Sequence, residues 1–298
     1  MTTVRCLLDV AAARNWPMYQ LDENNAFLHG TLDEEIYMRL PPSFYYKEKS
    51  QGQVCKLLKS LYGLKQASRQ WFAKFSEALL DFGFHKSLND YSLFTLERGG
   101  DFIVLLVYVD DVLLTGTSQS LIDDIKNYIH NKFQIKDLGV LKYFLGLEVA
   151  RSPHDIFLNQ RKYALELLQE NNLTQCKPSR TPMDIKHKLS LSQAPFLDDP
   201  LQYRKLVGKL IYLTITRPDL SYTVHVLSQF MQRPTTDHLQ AIQRVLRYLK
   251  GAPAQGLLFQ EHSDLTLNAF CDADWASCPL TRKLVTGYYA TLGSCAVS

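Results

Sequence analysis

Two short, strongly apolar segments flank a pair of adjacent aspartates near the middle of the chain. Residues 105–109 read Leu-Leu-Val-Tyr-Val, Asp110 and Asp111 follow, and residues 112–114 read Val-Leu-Leu. Apolar runs this short, rich in valine and leucine, predict two buried strands joined across the acids. A hairpin turn gains nothing from a second like charge, whereas two close carboxylates suit a divalent cation. This segment alone is equally compatible with an ordinary turn and with a metal site.

The composition excludes disordered, collagen-like and coiled-coil chains and leaves ordinary globular folds. The chain has 298 residues, of which 46% are hydrophobic and 21% are charged. Its 33 basic and 30 acidic residues give a net charge of +3, which permits a polyanionic partner without requiring one. The cysteines lack C-x-x-C spacing, and neither a signal sequence nor a membrane-length apolar run is present. We therefore expect an intracellular protein with reduced thiols and no membrane partner. The cytoplasm and the nucleus are the favoured compartments, and an organelle is the alternative.

The hydrophobic periodicity changes along the chain and predicts an α+β fold. The predicted helices cover residues 4–13, 66–82, 121–133, 162–172, 203–213, 218–231 and 237–250. The predicted strands include residues 16–22, 54–61, 94–96, 102–108, 112–114, 143–151 and 156–159, and strand character returns from residue 257. Gly83 is expected to end one helix and Thr236 to cap another.

Asp22 stands in a setting similar to that of Asp110, at the end of a predicted strand. A polar segment follows it, and then Ala26 and Phe27, a small residue and a flat aromatic. A single aspartate after a strand is usually a turn former, so Asp22 taken alone indicates no more than a turn.

Residues 54–76 are basic and contain no acid. Their cationic and aromatic side chains alternate, and Gly63 permits close approach of the backbone to a ligand. Such a mixture suits a nucleic-acid backbone and its bases, although a solvated helix face over a core that includes Trp71 and Phe72 has the same composition. The cations are Lys56, Lys59, Lys65, Arg69 and Lys74.

Together, two acidic sites on distant strands and a basic helix suggest two-metal phosphoryl transfer. In that chemistry two Mg²⁺ ions about 3.5–4 Å apart activate the attacking oxygen and stabilise the leaving one. Carboxylates are the ligands that such hard cations prefer. We therefore expect the carboxylates of Asp22 and Asp110 to face each other, with Lys65 or Arg69 beside the same cleft.

The order and spacing of these segments resemble the reverse transcriptase of copia-type LTR retrotransposons over nearly the whole chain. The matching segments are Gln20-Leu21-Asp22 with Ala26-Phe27-Leu28-His29-Gly30, Leu57-Leu58-Lys59-Ser60-Leu61-Tyr62-Gly63-Leu64-Lys65-Gln66-Ala67, and Tyr108-Val109-Asp110-Asp111. The resemblance implies a right-hand polymerase palm that uses Mg²⁺ or Mn²⁺. It also implies an RNA template, a DNA primer and dNTPs as partners.

The resemblance assigns roles to particular residues. Asp22 and Asp110 would be the metal-binding aspartates, and Asp111 the accessory acid beside them. Phe27 would lie under the incoming sugar and reject a 2′-hydroxyl group. The nucleotide- and template-contacting residues would be Gly63, Lys65, Gln66, Arg69 and Tyr108. The segment Phe144-Leu145-Gly146-Leu147-Glu148 resembles the primer-grip hairpin, with Leu145 and Gly146 at its centre.

The resemblance also implies three functional parts. Residues 1–150 would form the palm with partial fingers, residues 151–256 the helical thumb and connection, and residues 257–298 an incomplete ribonuclease H-like unit. Asp272 would be the vestigial first metal ligand of that unit. We expect no ribonuclease H activity, because the later Glu and Asp of its site have no counterpart in the sequence.

Several departures from the family pattern leave the fate of the chain open. Glu23 stands where the family prefers an apolar residue, Ser68 replaces a proline, and Leu284 and Val285 replace a Ser-Thr pair. We also expect that most of the fingers are missing. The sequence is compatible with an active RNA-directed DNA polymerase, with a catalytically impaired nucleic-acid-binding remnant, and with a product that has no selected role.

Overall fold

The computed structural model describes residues 1–23, 28, 32, 34–41, 53–184, 187–273 and 286–298. The chain forms two compact units. The central unit is Trp16–Leu141, and the terminal unit combines Met1–Asn15 with Lys142–Ser298. The functional boundaries expected at residues 150 and 256 stay a prediction.

Runs of strands and runs of helices follow one another through the described ranges, which is typical of an α+β fold. The α-helices are α1 (Thr2–Ala13), α2 (Ala67–Phe82), α3 (Gln119–Phe133), α4 (Arg161–Glu170), α5 (Pro200–Leu213), α6 (Ser221–Ser228) and α7 (Thr236–Gly251). The strands are β1 (Met18–Asp22), β2 (Tyr37–Arg39), β3 (Val54–Lys56), β4 (His85–Lys86), β5 (Leu93–Arg98), β6 (Asp101–Tyr108), β7 (Asp111–Gly116), β8 (Lys136–Val140), β9 (Tyr143–Phe144), β10 (Leu147–Arg151), β11 (Asp155–Asn159), β12 (Leu257–Gln260), β13 (Leu267–Ala273), β14 (Thr286–Leu292) and β15 (Cys295–Ala296). None of the helices in these ranges is both long and apolar enough to cross a bilayer.

One six-stranded sheet organises the central unit. Its strand order is β4-β5-β6-β7-β1-β8, and every neighbouring pair is antiparallel. Alternate residues of a strand point to opposite faces, and one face of this sheet packs with α2 and α3 into an apolar core. The strand residues of this core include Leu21, Ile103, Leu105, Val107, Val112 and Leu114. The structure therefore confirms the predicted combination of antiparallel strands and helices.

Helix α2 shows how the sequence fixes one of these elements. Its buried residues Trp71, Phe75 and Leu79 recur every four positions and form one apolar stripe. The helix ends at Gly83, whose φ of 112° lies in the left-handed region that glycine adopts without strain from a Cβ atom. Both the stripe and the C-cap agree with the sequence prediction.

The terminal unit has a helical core and a smaller sheet. Helices α4, α5, α6 and α7 surround a shared apolar cluster. A four-stranded sheet has the order β12-β11-β10-β9, and α1 packs against β11 and β12. A separate sheet has the order β13-β14-β15, and all seven residues of β13 are exposed.

Two of the predicted strands are shortened or interrupted in the structure, and several others differ by a few residues at their ends. The strand expected at residues 54–61 is only Val54–Lys56, because its partner β2 offers just three residues for pairing. The single strand expected at residues 143–151 is interrupted at Leu145 and Gly146, which form a turn between β9 and β10. Positive φ at both residues reverses the chain there, so the two halves pair with each other.

Two predicted helix ends also differ. The helix expected at residues 218–231 is a 3₁₀ turn at Pro218–Leu220 followed by α6. Thr235, and not Thr236, caps α7. The Thr235 backbone N–H donates to His238 Nδ1 at 2.8 Å, so a histidine occupies the position that usually holds Glu or Gln in a capping box.

Candidate active site

Strands β1 and β7 bring two of the predicted aspartates into direct opposition. Their antiparallel register pairs Asp22 with Asp111 at the ends of the two strands. The Cα atoms of such directly opposed residues lie roughly 4.5–5.5 Å apart, and their side chains project from the same face of the sheet. This is the face opposite α2 and α3, since the neighbours Leu21 and Val112 point into the helix-covered core. Two carboxylates 89 positions apart in sequence are therefore neighbours in the fold.

Asp110 occupies the turn between β6 and β7. Tyr108 and Asp111 form the last strand pair, so Val109 and Asp110 make the two-residue connection. Val109 has a φ of 57°, which is uncommon for a β-branched residue and requires support from the surroundings. That support includes a hydrogen bond of 2.8 Å from the indole Nε1–H of Trp71 to the Val109 carbonyl oxygen.

A backbone hydrogen bond joins the Asp110 turn to β1. The Glu23 N–H donates to the Asp110 carbonyl oxygen at 3.2 Å. Because Glu23 directly follows Asp22, this bond holds the end of β1 beside the turn. The structure thus brings the backbones of Asp22, Asp110 and Asp111 to one corner of the sheet, with Asp22 opposite Asp111. The expectation that the carboxylates of Asp22 and Asp110 face each other stays a prediction.

The electrostatics of this corner reflect burial and crowding of like charges. Burial raises the pKa of Asp111, and the Gln20 side-chain N–H, which donates to Asp111 Oδ1 at 3.0 Å, opposes that rise. The charges of Asp110 and Asp22 raise the pKa of Asp111 further. Burial and the charge of Asp22 also raise the pKa of Glu23 to about 7. Such mutual repulsion favours a cation at this corner.

Tyr62 is a site residue that the sequence argument did not single out. Burial raises the pKa of its hydroxyl group, and the charges of Asp110, Asp22 and Glu23 add to the effect. Tyr62 is 56% exposed, so it lies near these acids and remains accessible to solvent. The signal was available, because Tyr62 lies inside the segment of residues 57–67 that resembles the polymerase motif.

Strand β8 adds a basic residue to the same row. Its register with β1 pairs Lys136 with Asp22, on the side away from Asp111. Three adjacent strands thus present Lys136, Asp22 and Asp111 in line across the sheet. Nothing in the local sequence around Lys136 indicates this, because the pairing depends on a register shift between Gln20 and Leu21.

The possible metal ligands at this corner are the carboxylate oxygens of Asp22, Asp110 and Asp111. Three carboxylates converge at the backbone level, and carboxylate oxygens are the ligands that Mg²⁺ and Mn²⁺ prefer. At the level of side chains, the described residues contain no group of three or more His, Cys, Asp or Glu that is arranged to hold a metal ion. The chemistry of the donor set therefore fits a metal, whereas a complete coordination geometry is not present.

Four of the other predicted contact residues lie near the start of α2, namely Gly63, Lys65, Gln66 and Arg69. Gly63 has a φ of 92°, and Lys65 is exposed. Gln66 and Arg69 line a cavity of about 340 Å³ together with Glu34. Tyr108, at the end of β6, is 54% exposed. Phe27 lies outside the described residues.

The remaining predicted residues belong to the terminal unit. Leu145 and Gly146 form the tight turn between β9 and β10, with φ values of 53° and 76°. The hydroxyl group of Tyr212 on α5 donates to the Leu145 carbonyl oxygen at 2.6 Å, a contact that the sequence argument missed. Asp272 lies on the exposed strand β13, opposite Gly287 of β14.

Comparison with known proteins identifies the family to which the chain belongs. It matches the family described as reverse transcriptase (RNA-dependent DNA polymerase) over residues 1–185. It is 47% identical over 292 residues to the retrovirus-related Pol polyprotein from transposon RE1 of Arabidopsis thaliana, covering 98% of this chain and 20% of that protein. It is 38% identical over 308 residues to the retrovirus-related Pol polyprotein from transposon TNT 1-94 of Nicotiana tabacum, covering 100% of this chain and 23% of the relative.

A shorter relative is covered almost completely. The chain is 32% identical over 280 residues to a putative transposon Ty5-1 protein of Saccharomyces cerevisiae, which covers 93% of this chain and 91% of the yeast protein. By contrast, the chain spans about a fifth of the length of the Arabidopsis Pol polyproteins that it matches.

The antiparallel sheet, its layer of helices and the acidic corner define a mixed α and β domain with a carboxylate-based candidate site. The chain belongs to the reverse transcriptase (RNA-dependent DNA polymerase) family of copia-type retrotransposon Pol polyproteins. The resemblance inferred from the sequence motifs is thereby confirmed.

Proposed function

We propose that this chain is an RNA-directed DNA polymerase that transfers a nucleotide from a dNTP to a primer 3′-hydroxyl group. The observation that carries the proposal is the pairing of Asp22 with Asp111 beside the Asp110 turn. Membership of the reverse transcriptase family supports the same reaction. The RNA template, the DNA primer and the dNTPs are the partners that this function requires.

In the proposed mechanism, Asp22, Asp110 and Asp111 would hold two divalent cations, Mg²⁺ or Mn²⁺. When bound, such a pair of cations supplies positive charge that activates the primer hydroxyl group and offsets the charge of the leaving pyrophosphate. The protein contributes position, because the Trp71 indole and the Glu23 backbone N–H hold the Asp110 turn in place. Catalysis of phosphoryl transfer depends largely on such positioning and on electrostatic stabilisation.

The substrate contacts of the proposal fall on the segment before and within α2. Gly63, Lys65, Gln66 and Arg69 would contact the nucleotide and the template, and Tyr108 would lie beside the nascent pair. Lys59, Lys65 and Arg69 are exposed, so their charges are available to phosphate groups. Phe27 would select against the ribose 2′-hydroxyl group.

Primer extension on poly(rA)·oligo(dT) with Mg²⁺ or Mn²⁺ tests the catalytic proposal. We expect incorporation of dTTP that disappears in Asp110→Asn, because that change removes a charge from the acidic corner and nearly preserves its shape. Asp124→Asn is the matched control, since Asp124 is an exposed aspartate on α3. The proposal fails if the wild-type chain extends no primer at any protein concentration with either cation.

A second candidate function is nucleic-acid binding without catalysis. The exposed cations of the acid-free segment 54–76 favour it independently of the acidic corner. A gel shift of primer–template that weakens steeply with salt, together with absence of extension, would support this alternative.

A further inference from the structure

The turn between β9 and β10 is an unusual piece of backbone. Phe144 pairs with Leu147, so Leu145 and Gly146 alone reverse the chain. Both have positive φ, 53° for Leu145 and 76° for Gly146, as a two-residue turn matched to the strand twist requires. Glycine adopts this region freely, whereas leucine is strained in it and keeps it only where neighbouring groups hold it.

Tyr212 of α5 supplies such a holding contact. Its hydroxyl group donates to the Leu145 carbonyl oxygen at 2.6 Å across 67 positions of sequence. The same hydroxyl oxygen lies against Gly146, because a Cβ atom built on that glycine would come within 2.4 Å of it. The Tyr212 hydroxyl group therefore holds the Leu145 carbonyl group in one direction, and it leaves no room for a side chain at Gly146.

Tyr212 is itself held in place. The ring of Tyr163 on α4 meets the Tyr212 ring edge to face, with centroids 4.9 Å apart and an interplanar angle of 84°. The Gln160 side-chain N–H donates to the Tyr212 carbonyl oxygen at 3.3 Å. Burial raises the pKa of the Tyr212 hydroxyl group, so it remains a protonated donor throughout the neutral range.

We propose that Tyr212 is a positioning residue that sets the Leu145-Gly146 turn and, through it, the hold of this hairpin on a primer strand. This inference rests on the proposed polymerase function and on the resemblance of the segment Phe144-Leu145-Gly146-Leu147-Glu148 to the primer-grip hairpin, which implies contact with the primer through the backbone. A backbone contact cannot adapt by changing rotamer, so the direction of the Leu145 and Gly146 peptides determines the contact. Tyr212 fixes that direction from α5.

The hydroxyl group can be removed without disturbing the core of α5. The buried residues of this helix are Tyr203, Leu206, Val207, Leu210 and Leu213, and Tyr212 is not among them. Tyr212→Phe therefore keeps the ring contact with Tyr163 and deletes only the hydrogen bond. Tyr222→Phe is the matched control, because Tyr222 on α6 is 60% exposed.

Binding measured without turnover is the first test. In the Asp110→Asn background, anisotropy of a labelled RNA template annealed to a recessed DNA primer gives the dissociation constant. Tyr212→Phe should raise it by about fivefold to tenfold, the effect of one lost hydrogen bond, and leave binding of the single-stranded template unchanged. Tyr222→Phe should change neither. The inference is overturned if Tyr212→Phe lowers the affinity for the primer–template and for the single-stranded template equally, or if it lowers neither.

A double-mutant cycle with Gly146→Ala is the second test. In the native background the added methyl group meets the Tyr212 hydroxyl oxygen at 2.4 Å, whereas the next atom of that ring, Cζ, is 3.5 Å away. Gly146→Ala should therefore weaken primer–template binding strongly, and Tyr212→Phe in the same chain should partly restore it. The backbone strain of alanine at positive φ is present in both backgrounds and cancels in the cycle. Additive losses would contradict a direct contact between the two positions.

The two proposals fail in different ways. Extension by the wild-type chain without any selective effect of Tyr212→Phe on the recessed primer overturns the positioning role and leaves the polymerase function intact. A selective binding effect without extension removes the polymerase function and retains the positioning role. Where extension occurs, Tyr212→Phe should raise the KM for primer–template by about fivefold to tenfold and change kcat by less than about twofold.

Discussion

The indole Nε1–H of Trp71 donates a hydrogen bond of 2.8 Å to the carbonyl oxygen of Val109, the residue that precedes Asp110 in the turn. Trp71 is fully buried in the core of the central unit, where its ring contacts Phe75 and Phe133. The hydrophobic core and the acidic corner are therefore joined through one side chain. A buried tryptophan commonly finds a partner for its N–H group, and here that partner is the turn of the candidate site.

Trp71→Phe should separate the packing of Trp71 from its hydrogen bond. The phenylalanine keeps an aromatic ring in the core but cannot donate a hydrogen bond to Val109. Because it is smaller than tryptophan, it also leaves a small cavity. We expect a loss of about 1–3 kcal/mol in the free energy of unfolding, measured by urea denaturation, and a larger fractional loss of primer extension. Trp16→Phe is the control, because Trp16 packs against Phe102, away from the turn. Unchanged extension in Trp71→Phe would contradict a role in holding Asp110.

Asp22→Ala should leave the fold nearly intact while it abolishes extension. Asp22 raises the pKa of Asp111 and contributes to the raised pKa of Glu23, so its removal relieves repulsion among like charges. We expect a melting temperature equal to or slightly above that of the wild-type chain in a metal-free scan. A fall of many degrees would show that Asp22 has a structural role instead.

Divalent cations should stabilise the wild-type chain if the acidic corner binds them. A ligand that binds only the folded state adds about 2.7 kcal/mol at 100 times its dissociation constant. We expect Mn²⁺ or Mg²⁺ to raise the melting temperature of the wild-type chain and of Asp124→Asn, and to have little effect on Asp110→Asn. Equal stabilisation of all three chains would place the bound cation elsewhere.

Asp9 on α1 should make the stability of the terminal unit depend on pH. Asp9 is 1% exposed, and neither of its carboxylate oxygens has a hydrogen-bond partner among the residues that the structure describes. The charge of Asp9 contributes to the raised pKa of Cys6 and of Cys295, which are the titratable groups that it acts on. Burial raises the pKa of Asp9 to about 6, so the folded chain holds this proton more tightly than the unfolded chain, whose aspartates titrate near about 3.9.

The sign of this effect follows from linkage. The stability that protonated Asp9 contributes is fully present below about pH 4 and is lost as the pH rises through about 6. Asp9→Asn removes the titration, so its stability relative to the wild-type chain should increase by about 2–3 kcal/mol between pH 4 and pH 7.5. Urea denaturation at both values measures the difference. Asp124→Asn, an exposed change, should show no such trend.

Local sequence patterns predict most elements of this fold but not all of their ends. The apolar stripe of α2 and the glycine that ends it are visible in the sequence, because both depend on residues within a few positions. The cap of α7 was placed one residue late, since the pairing of Thr235 with His238 departs from the usual Ser/Thr and Glu/Gln combination. The turn at Leu145 was missed as a strand break because a leucine at positive φ leaves no local signal.

In the candidate site, too, some residues have a local sequence signal and others acquire their place only through the fold. The three acids were identified from sequence because each follows or joins an apolar strand. Tyr62 and Lys136 were not identified as neighbours of these acids. Tyr62 acquires its place through a loop, and Lys136 through a shifted register between two strands. The register that places Lys136 leaves no local signal, whereas Tyr62 lies within the segment of residues 57–67 that resembles the polymerase motif.

The sequence by itself determined the kinds of elements, the residues that carry the carboxylates and the family to which the chain belongs. These depend on hydrophobic periodicity and side-chain chemistry, which are properties of short segments of the sequence. Only the tertiary structure decided that Asp22 lies opposite Asp111, that Trp71 supports the Asp110 turn and that Tyr212 reaches Leu145. The physical reason is that strand register and contacts between distant segments are set by the simultaneous packing of whole elements, in which one residue of slippage turns every side chain to the other face.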